Sequence, residues 1–204
     1  MHAATTSKRP RKARPLHGVF APGPDHWVGD GFYVKTVFSP QPDAQLLSPF
    51  LLLDHAARQH GTREILTRYG DGSEVRTNWA GVRRDALKMT QALQRLGIGT
   101  GDRIATLALN HSRHLVSWYG AVGVGGVLHT INPRLFDDQL IYIANHAEDR
   151  VLFYDVAFQP IIDRLRSQWT SIRHFVAFDD LGPDGFAALI DREDGDYAWV
   201  EGPE

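Results

Sequence analysis

Cysteine is absent from all 204 residues, which excludes disulfides, thiolate metal sites and cysteine nucleophiles. No run approaches the roughly eighteen apolar residues of a membrane span, so stable membrane insertion is not expected. Nothing resembles a signal peptide with an apolar middle, and the chain is expected to be cytoplasmic. Lysine is scarce: Lys8, Lys12, Lys35 and Lys88 are the only ones, and none follows a glycine. A phosphate loop of the GxxxxGK[ST] type is therefore excluded, as are an HExxH zinc helix and a GxSxG nucleophile elbow.

The composition is 43% hydrophobic and 23% charged, which is ordinary for a globular protein of one domain, or of one domain and the beginning of another. The net charge of −2 hides an asymmetry. Residues 1–20 carry Lys8, Arg9, Arg11, Lys12 and Arg14 with no acid, and the remaining 17 basic and 24 acidic residues leave the rest at −7. Such an arm could tether nucleic acid or anionic lipid, or resemble a transit peptide. With two prolines and little to bury, it reads as a solvated, disordered arm, and nucleic acid is not an expected partner.

Three regions follow. Residues 1–45 are a basic, Pro-rich lead-in; 46–180 form the folded subdomain; 181–204 are loop-rich. In the second, Ser48 and Pro49 open a helix that Gly61 closes. "EILTRY" and "EVRTNW" alternate at period two about Gly70 to Ser73, the pattern of a hairpin. Asn78 caps a helix with Trp79, Val82, Ala86, Met89, Leu93 and Leu96 on one face, closed by Gly97, with Lys88 on its exposed side. Short apolar runs at 103–109, 127–131, 150–155 and 174–178 then alternate with helical segments. The fold class is α/β: a parallel sheet with helices on both faces, preceded by a β-hairpin.

"YGAVGVGGVLHTINPR", from Tyr119 to Arg134, has the look of a phosphate-binding turn. Its polarity is reversed, because Gly120, Gly123, Gly125 and Gly126 follow a helix and precede a strand, where carbonyls and the negative end of the helix dipole are presented. Helix termination and close helix–sheet contact account for them. Ten histidines raise the question of a metal. His111 and His114 stand three apart and His146 lies near Glu148 and Asp149, but no matched ligand triad appears. Asn110 or Ser112 is expected to cap the helix there. Ligands in open α/β sheets bind beyond the carboxyl ends of strands, which points to Asn110, Asn132 and Arg134. Asn132-Pro133 also reads as a turn, with Asp137 or Asp138 capping the next helix.

The segment from Gly101 to Asp155 resembles the N-terminal subdomain of AMP-forming acyl-CoA synthetases, especially medium- and long-chain fatty-acid–CoA ligases of the adenylate-forming superfamily. "HTINPRLF" followed by "YIANHAEDRVL" is its most specific part, and the likeness extends over roughly residues 47–180. It implies a Rossmann- or flavodoxin-like subdomain. It also implies a full-length enzyme that uses ATP, Mg²⁺ and CoA to convert a fatty or other carboxylic acid to acyl-CoA, AMP and pyrophosphate. That family's phosphate loop ending in Pro-Lys-Gly, its Tyr-Gly-x-Thr-Glu motif, its ribose-binding Asp and its C-terminal lysine are not in this sequence. Catalytic, cofactor-binding and metal residues are therefore assigned to no numbered position, and the chain is expected to be a truncated, inactive N-terminal part. The alternative is a non-catalytic interaction module, a homodimer or half of a split synthetase paired with its missing C-terminal portion.

Overall fold

The computed structural model describes residues 49–200. Ser48, the expected first cap, and the whole lead-in 1–45 lie outside them. The described chain runs α1 (Pro49–His60), β1 (Glu64–Arg68), β2 (Glu74–Asn78), α2 (Trp79–Arg95), β3 (Arg103–Leu107), α3 (Ser112–Gly123), β4 (Val127–Thr130), α4 (Asp137–His146), β5 (Val151–Tyr154), α5 (Gln159–Leu165), β6 (His174–Ala177) and α6 (Phe186–Asp191). Short 3₁₀ turns at Val156–Phe158 and Arg166–Gln168 flank α5. No helix among the described residues is long and apolar enough to cross a membrane.

β1 and β2 form the expected antiparallel hairpin, pairing Leu66 with Arg76. Its turn is tied by the Asp71 carboxylate, which accepts from the Ser73 amide and hydroxyl at 2.9 and 2.7 Å. The four remaining strands form one parallel sheet in the order β4-β3-β5-β6. The alternation of side chains along each strand divides the interior in two. Ile104, Val151, Phe153 and Val176 face α1, α2, α3 and α6. Ala105, Leu107, Leu152, Tyr154 and Ala177 face Leu140 and Ala144 of α4, Ile162 and Leu165 of α5, and Trp169. All four residues of β5 are buried, as a strand covered on both faces requires.

α2 begins as its sequence demands, with Asn78 Oδ1 accepting from the Gly81 amide at 2.8 Å. It ends at Gly97, whose φ of +77° lets Gly97 and Ile98 donate back to Gln94 and Leu93, a left-handed helix stop. Its buried face is wider than the expected stripe, since Leu87, Thr90 and Ala92 are buried too. The cover is α6 and the segment behind it: Gln91 bonds Asp194 and Gly195, and Arg95 pairs with Glu193. Lys88 is accordingly not on an exposed side. Its side chain is only 19% exposed and lies 4.0 Å from Asp191.

α4 corrects a second expectation. Neither Asp137 nor Asp138 caps it, since the helix already begins at Asp137 and Phe136 occupies the cap position. The Phe136 amide instead donates to Gln139 Oε1 at 3.1 Å, and Asp137 forms a two-pronged ion pair with Arg164 at 2.6 and 2.7 Å. Two acids in the first turn still oppose the positive end of the helix dipole.

Candidate functional site

In the order β4-β3-β5-β6 the chain leaves β3 to one side for β4 and then returns to its other side for β5. Loops at the carboxyl ends of strands flanking such a reversal diverge and leave a crevice. Here the crevice is closed by the protein's own side chains. His111, at the end of the β3–α3 loop, caps α3 with its Nδ1 accepting from the His114 amide at 3.1 Å. Its Nε2 meets Asp155 Oδ1, at the end of β5, at 2.8 Å, and Asp155 Oδ2 accepts from the Leu109 amide at 2.6 Å. The cap is therefore His111, not Asn110 or Ser112. The Ser112 amide donates to Thr67 Oγ1 of β1 at 3.0 Å, which brings the hairpin onto the same loop.

These contacts fix the protonation of both histidines. An Nδ1 that accepts from an amide carries no proton, so His111 holds its proton on Nε2 and donates it to Asp155. His114 has the opposite tautomer. Its Nδ1 lies 3.2 Å from the Leu109 carbonyl, which can only accept, leaving Nε2 to take the Thr106 hydroxyl at 3.0 Å. Burial pulls the His114 pKa down against the opposing effect of the Leu109 carbonyl. Burial pushes the Asp155 carboxyl up, but the hydrogen bonds from His111 and the Leu109 amide outweigh it and hold it below the usual carboxylate range. The rings of His111 and Phe178 meet edge to face at 5.0 Å, and Tyr69 covers His111 from the hairpin at 6.1 Å.

Beside this latch an open cleft of about 280 Å³ is lined by Asn110, His111, His114, Leu115, Trp118 and Thr130. Of the residues expected at the carboxyl ends, Asn110 lines it and Asn132 and Arg134 do not. Asn132 Oδ1 accepts from the Arg134 amide at 3.0 Å, the turn its sequence suggested. All four ring nitrogens of His111 and His114 are engaged within the protein. His146 stacks on Tyr142 at 5.2 Å, whereas Asp149 binds His129 at 2.8 Å. Among the described residues no group of three or more His, Asp or Glu side chains could hold a metal ion.

The glycine-rich bend is equally committed. Gly125 has φ +75°, its amide donates to Val122 and the Gly126 amide to Ala121, so α3 closes on its own carbonyls. A Cβ at Gly120 would stand 2.7 Å from Met89 Cβ and 3.3 Å from the Ala86 carbonyl. The close contact at Gly120 is thus helix on helix, while that at Gly126 is helix bend on strand, against Ile104. With its donors used, the bend does not fit a nucleotide phosphate, and no described residue is assigned to ATP, Mg²⁺ or CoA. The His111–Asp155 pair escaped the sequence reading. Its signal was there: one residue lies just past the end of β3 and the other just past the end of β5, in neighbouring parallel strands.

Residues 53–201 match the family model of the AMP-binding enzyme. The 3-methylmercaptopropionyl-CoA ligase of Ruegeria lacuscaerulensis is 46% identical over 157 residues, which cover 72% of this chain and 29% of that protein. The long-chain-fatty-acid–CoA ligase of Thermus thermophilus is 41% identical over 136 residues, covering 67% of this chain and 25% of that protein. Among solved structures, a Mycobacterium tuberculosis fatty acyl CoA synthetase superposes with a TM-score of 0.61 at 26% identity, over 74% of this chain and 30% of that one. An Archaeoglobus fulgidus long-chain-fatty-acid-CoA ligase reaches 0.66 at 16% identity, over 74% and 31% of the two chains, and shares the fold. The chain thus spans between a quarter and three tenths of the length of these curated relatives. With a family match over most of its length and a parallel α/β sheet that superposes on adenylate-forming enzymes, the chain belongs to the AMP-binding enzyme family.

Proposed function

We propose that these residues are the N-terminal scaffold of an acyl-CoA ligase acting on a fatty or other carboxylic acid. The observation that carries the reading is the identity of 46%, 41% and 38% to three acyl-CoA ligases named for different acids. ATP, Mg²⁺ and CoA would supply the activating phosphate, its charge balance and the acceptor thiol, bound by motifs outside these 204 residues. What this chain contributes is positional. The His111–Asp155 latch pins the β3–α3 loop to the end of β5, so that a partner subdomain or substrate at the carboxyl ends of the strands meets a fixed wall. Its exposed rim, with Leu109 52% and Trp118 39% exposed, is apolar, which suits the wall of an acyl pocket.

Two measurements test the reading. ATP–pyrophosphate exchange by the isolated chain with decanoate or 3-methylmercaptopropionate is expected to stay at the no-enzyme background; exchange above it would overturn the scaffold role. Grafting residues 47–200 in place of the aligned segment of the Thermus thermophilus ligase should yield a hybrid that forms acyl-CoA. A folded hybrid without ligase activity would remove the acyl-CoA ligase assignment.

A further inference from the structure

We propose that the cleft beside the His111–Asp155 latch has an acid-operated gate: when His114 is protonated, its imidazole leaves its seat between Thr106 and Leu109 and turns out to solvent, widening the cleft while the fold persists. This inference does not rest on the ligase reading and concerns the isolated chain.

The seat admits a neutral ring. Its Nδ1–H donates to the Leu109 carbonyl at 3.2 Å, and its Nε2 accepts from the Thr106 hydroxyl at 3.0 Å. An imidazolium carries a donor on both nitrogens, so its Nε2–H would confront the Thr106 hydroxyl proton. Thr106 is 1% exposed. Turning its hydroxyl round to accept would leave a buried donor without its present acceptor, a costly state. The surroundings oppose the charge as well. His114 lies in the first turn of α3, where the positive end of the helix dipole disfavours a cation. Phe178 and His111 cover the ring, each at 6.1 Å, and burial pulls its pKa below 6.5. His111 and Asp155 are the titratable groups that act on it, with Tyr69 of the hairpin beyond His111. Asp155 attracts a cation, but its two oxygens are taken by His111 Nε2 and the Leu109 amide. Thr106 of β3 and Thr130 of β4 bring no charge.

The exit lies open. His114 is half-buried and lines the cleft of about 280 Å³ together with Asn110, Leu115, Trp118 and Thr130, so rotation about its side-chain bonds carries the ring to solvent. Its departure spares the latch. The donor to the cap is the His114 amide, not the ring, and His111 keeps both that amide and Asp155. The gate therefore moves a side chain without unfolding α3.

Imidazole ¹H–¹⁵N spectra and acrylamide quenching of Trp118 read the gate, the quenching as the difference between the chain and its Trp118→Phe variant. From about pH 8 downward, His114 is expected to take up a proton and lose its cross-relaxation with the Thr106 methyl. Quenching of Trp118 should rise over the same interval by at least about twofold, the mark of a local opening. Far-UV circular dichroism should hold steady through it. In His114→Gln, whose amide can still reach Leu109 and Thr106 but does not titrate, quenching should not change with pH. A protonated His114 that keeps its contact with Thr106 overturns the proposal. So do a ring that stays neutral until the chain unfolds, flat quenching in the original chain, a rise that persists in the Gln variant, and loss of the helical signal at the pH of protonation.

Discussion

Only a neutral imidazole with its proton on Nε2 lets His111 cap α3 and hold Asp155 at the same time. Replacing Asp155 by Ala leaves the buried His111 Nε2–H and the Leu109 amide without an acceptor, at about 1–3 kcal/mol for each. The expected loss of about 3 kcal/mol should appear as a lower denaturant midpoint with an unchanged slope. The pH dependence follows from His114. Burial holds its pKa below the reference value of 6.5, so the unfolded chain binds a proton that the folded chain resists. The stability this gives is complete above 6.5 and is lost as pH falls through the lowered folded value. Asp155, held low, stays ionised over that interval and loses its contribution only at more acid pH. Asp149, pushed up by burial against the opposing His129 contact, acts in the opposite sense and favours the folded state as it is protonated. The thermal midpoint should therefore fall between about pH 7 and about pH 5, and fall less in a His114→Gln variant. An equal fall in both proteins would assign the loss to another group.

At the scale of single elements, α3 packs on α2 where Gly120 leaves no side chain between them. Gly120→Ala would gain about 1 kcal/mol of helix propensity. Its new Cβ, however, meets Met89 and the Ala86 carbonyl, and overpacking of this kind costs about 1–3 kcal/mol. Net destabilisation is expected, seen as a lower thermal midpoint. α4 gives the reverse case. Glu148 holds a left-handed φ of +54° at the helix stop, with its amide bonded to Asn145 and that of Asp149 to Ala144. Glu148→Gly relieves about 1 kcal/mol of backbone strain and gives up one ion pair to Arg103 whose Glu148 side chain is 75% exposed, worth a few tenths of a kcal/mol. A slight rise in the denaturant midpoint is the expected outcome. Periodicity and caps made these elements legible: the residues 103–109, 127–131, 150–155 and 174–178 each contain an observed strand, and Asn78 and Gly97 bound α2 as read. What sequence alone could not supply was a partner distant along the chain. Nothing beside the expected cap at Asn110 or Ser112 singled out His111, because Asp155 is 44 positions away, and Lys88 looked exposed because its cover is α6.

The whole molecule is held by a return of its last described residues to its first. The Trp199 ring stacks on Phe50 of α1 at 5.9 Å, its indole N–H donates to Asp54 at 3.3 Å, and the Val200 amide donates to the Gly123 carbonyl at the end of α3. Asp54 also takes Arg83 of α2 at 2.6 Å, so one carboxylate gathers three parts of the chain. Residues 181–204 read as loop-rich in the sequence, and within them residues 192–200 form neither helix nor strand. Without a period of 2 or 3.6, their packing has no sequence signature. A loop-like segment that is nevertheless integral to the core makes a sharp forecast. Trp199→Ala removes a stacked ring and leaves Asp54 with one donor fewer, costing about 2 kcal/mol. Leu181, 86% exposed in the same region, should tolerate Ala within about 0.5 kcal/mol. Urea unfolding of the two variants reads the contrast directly, and equal midpoints would mean that the final segment rests on the fold without supporting it.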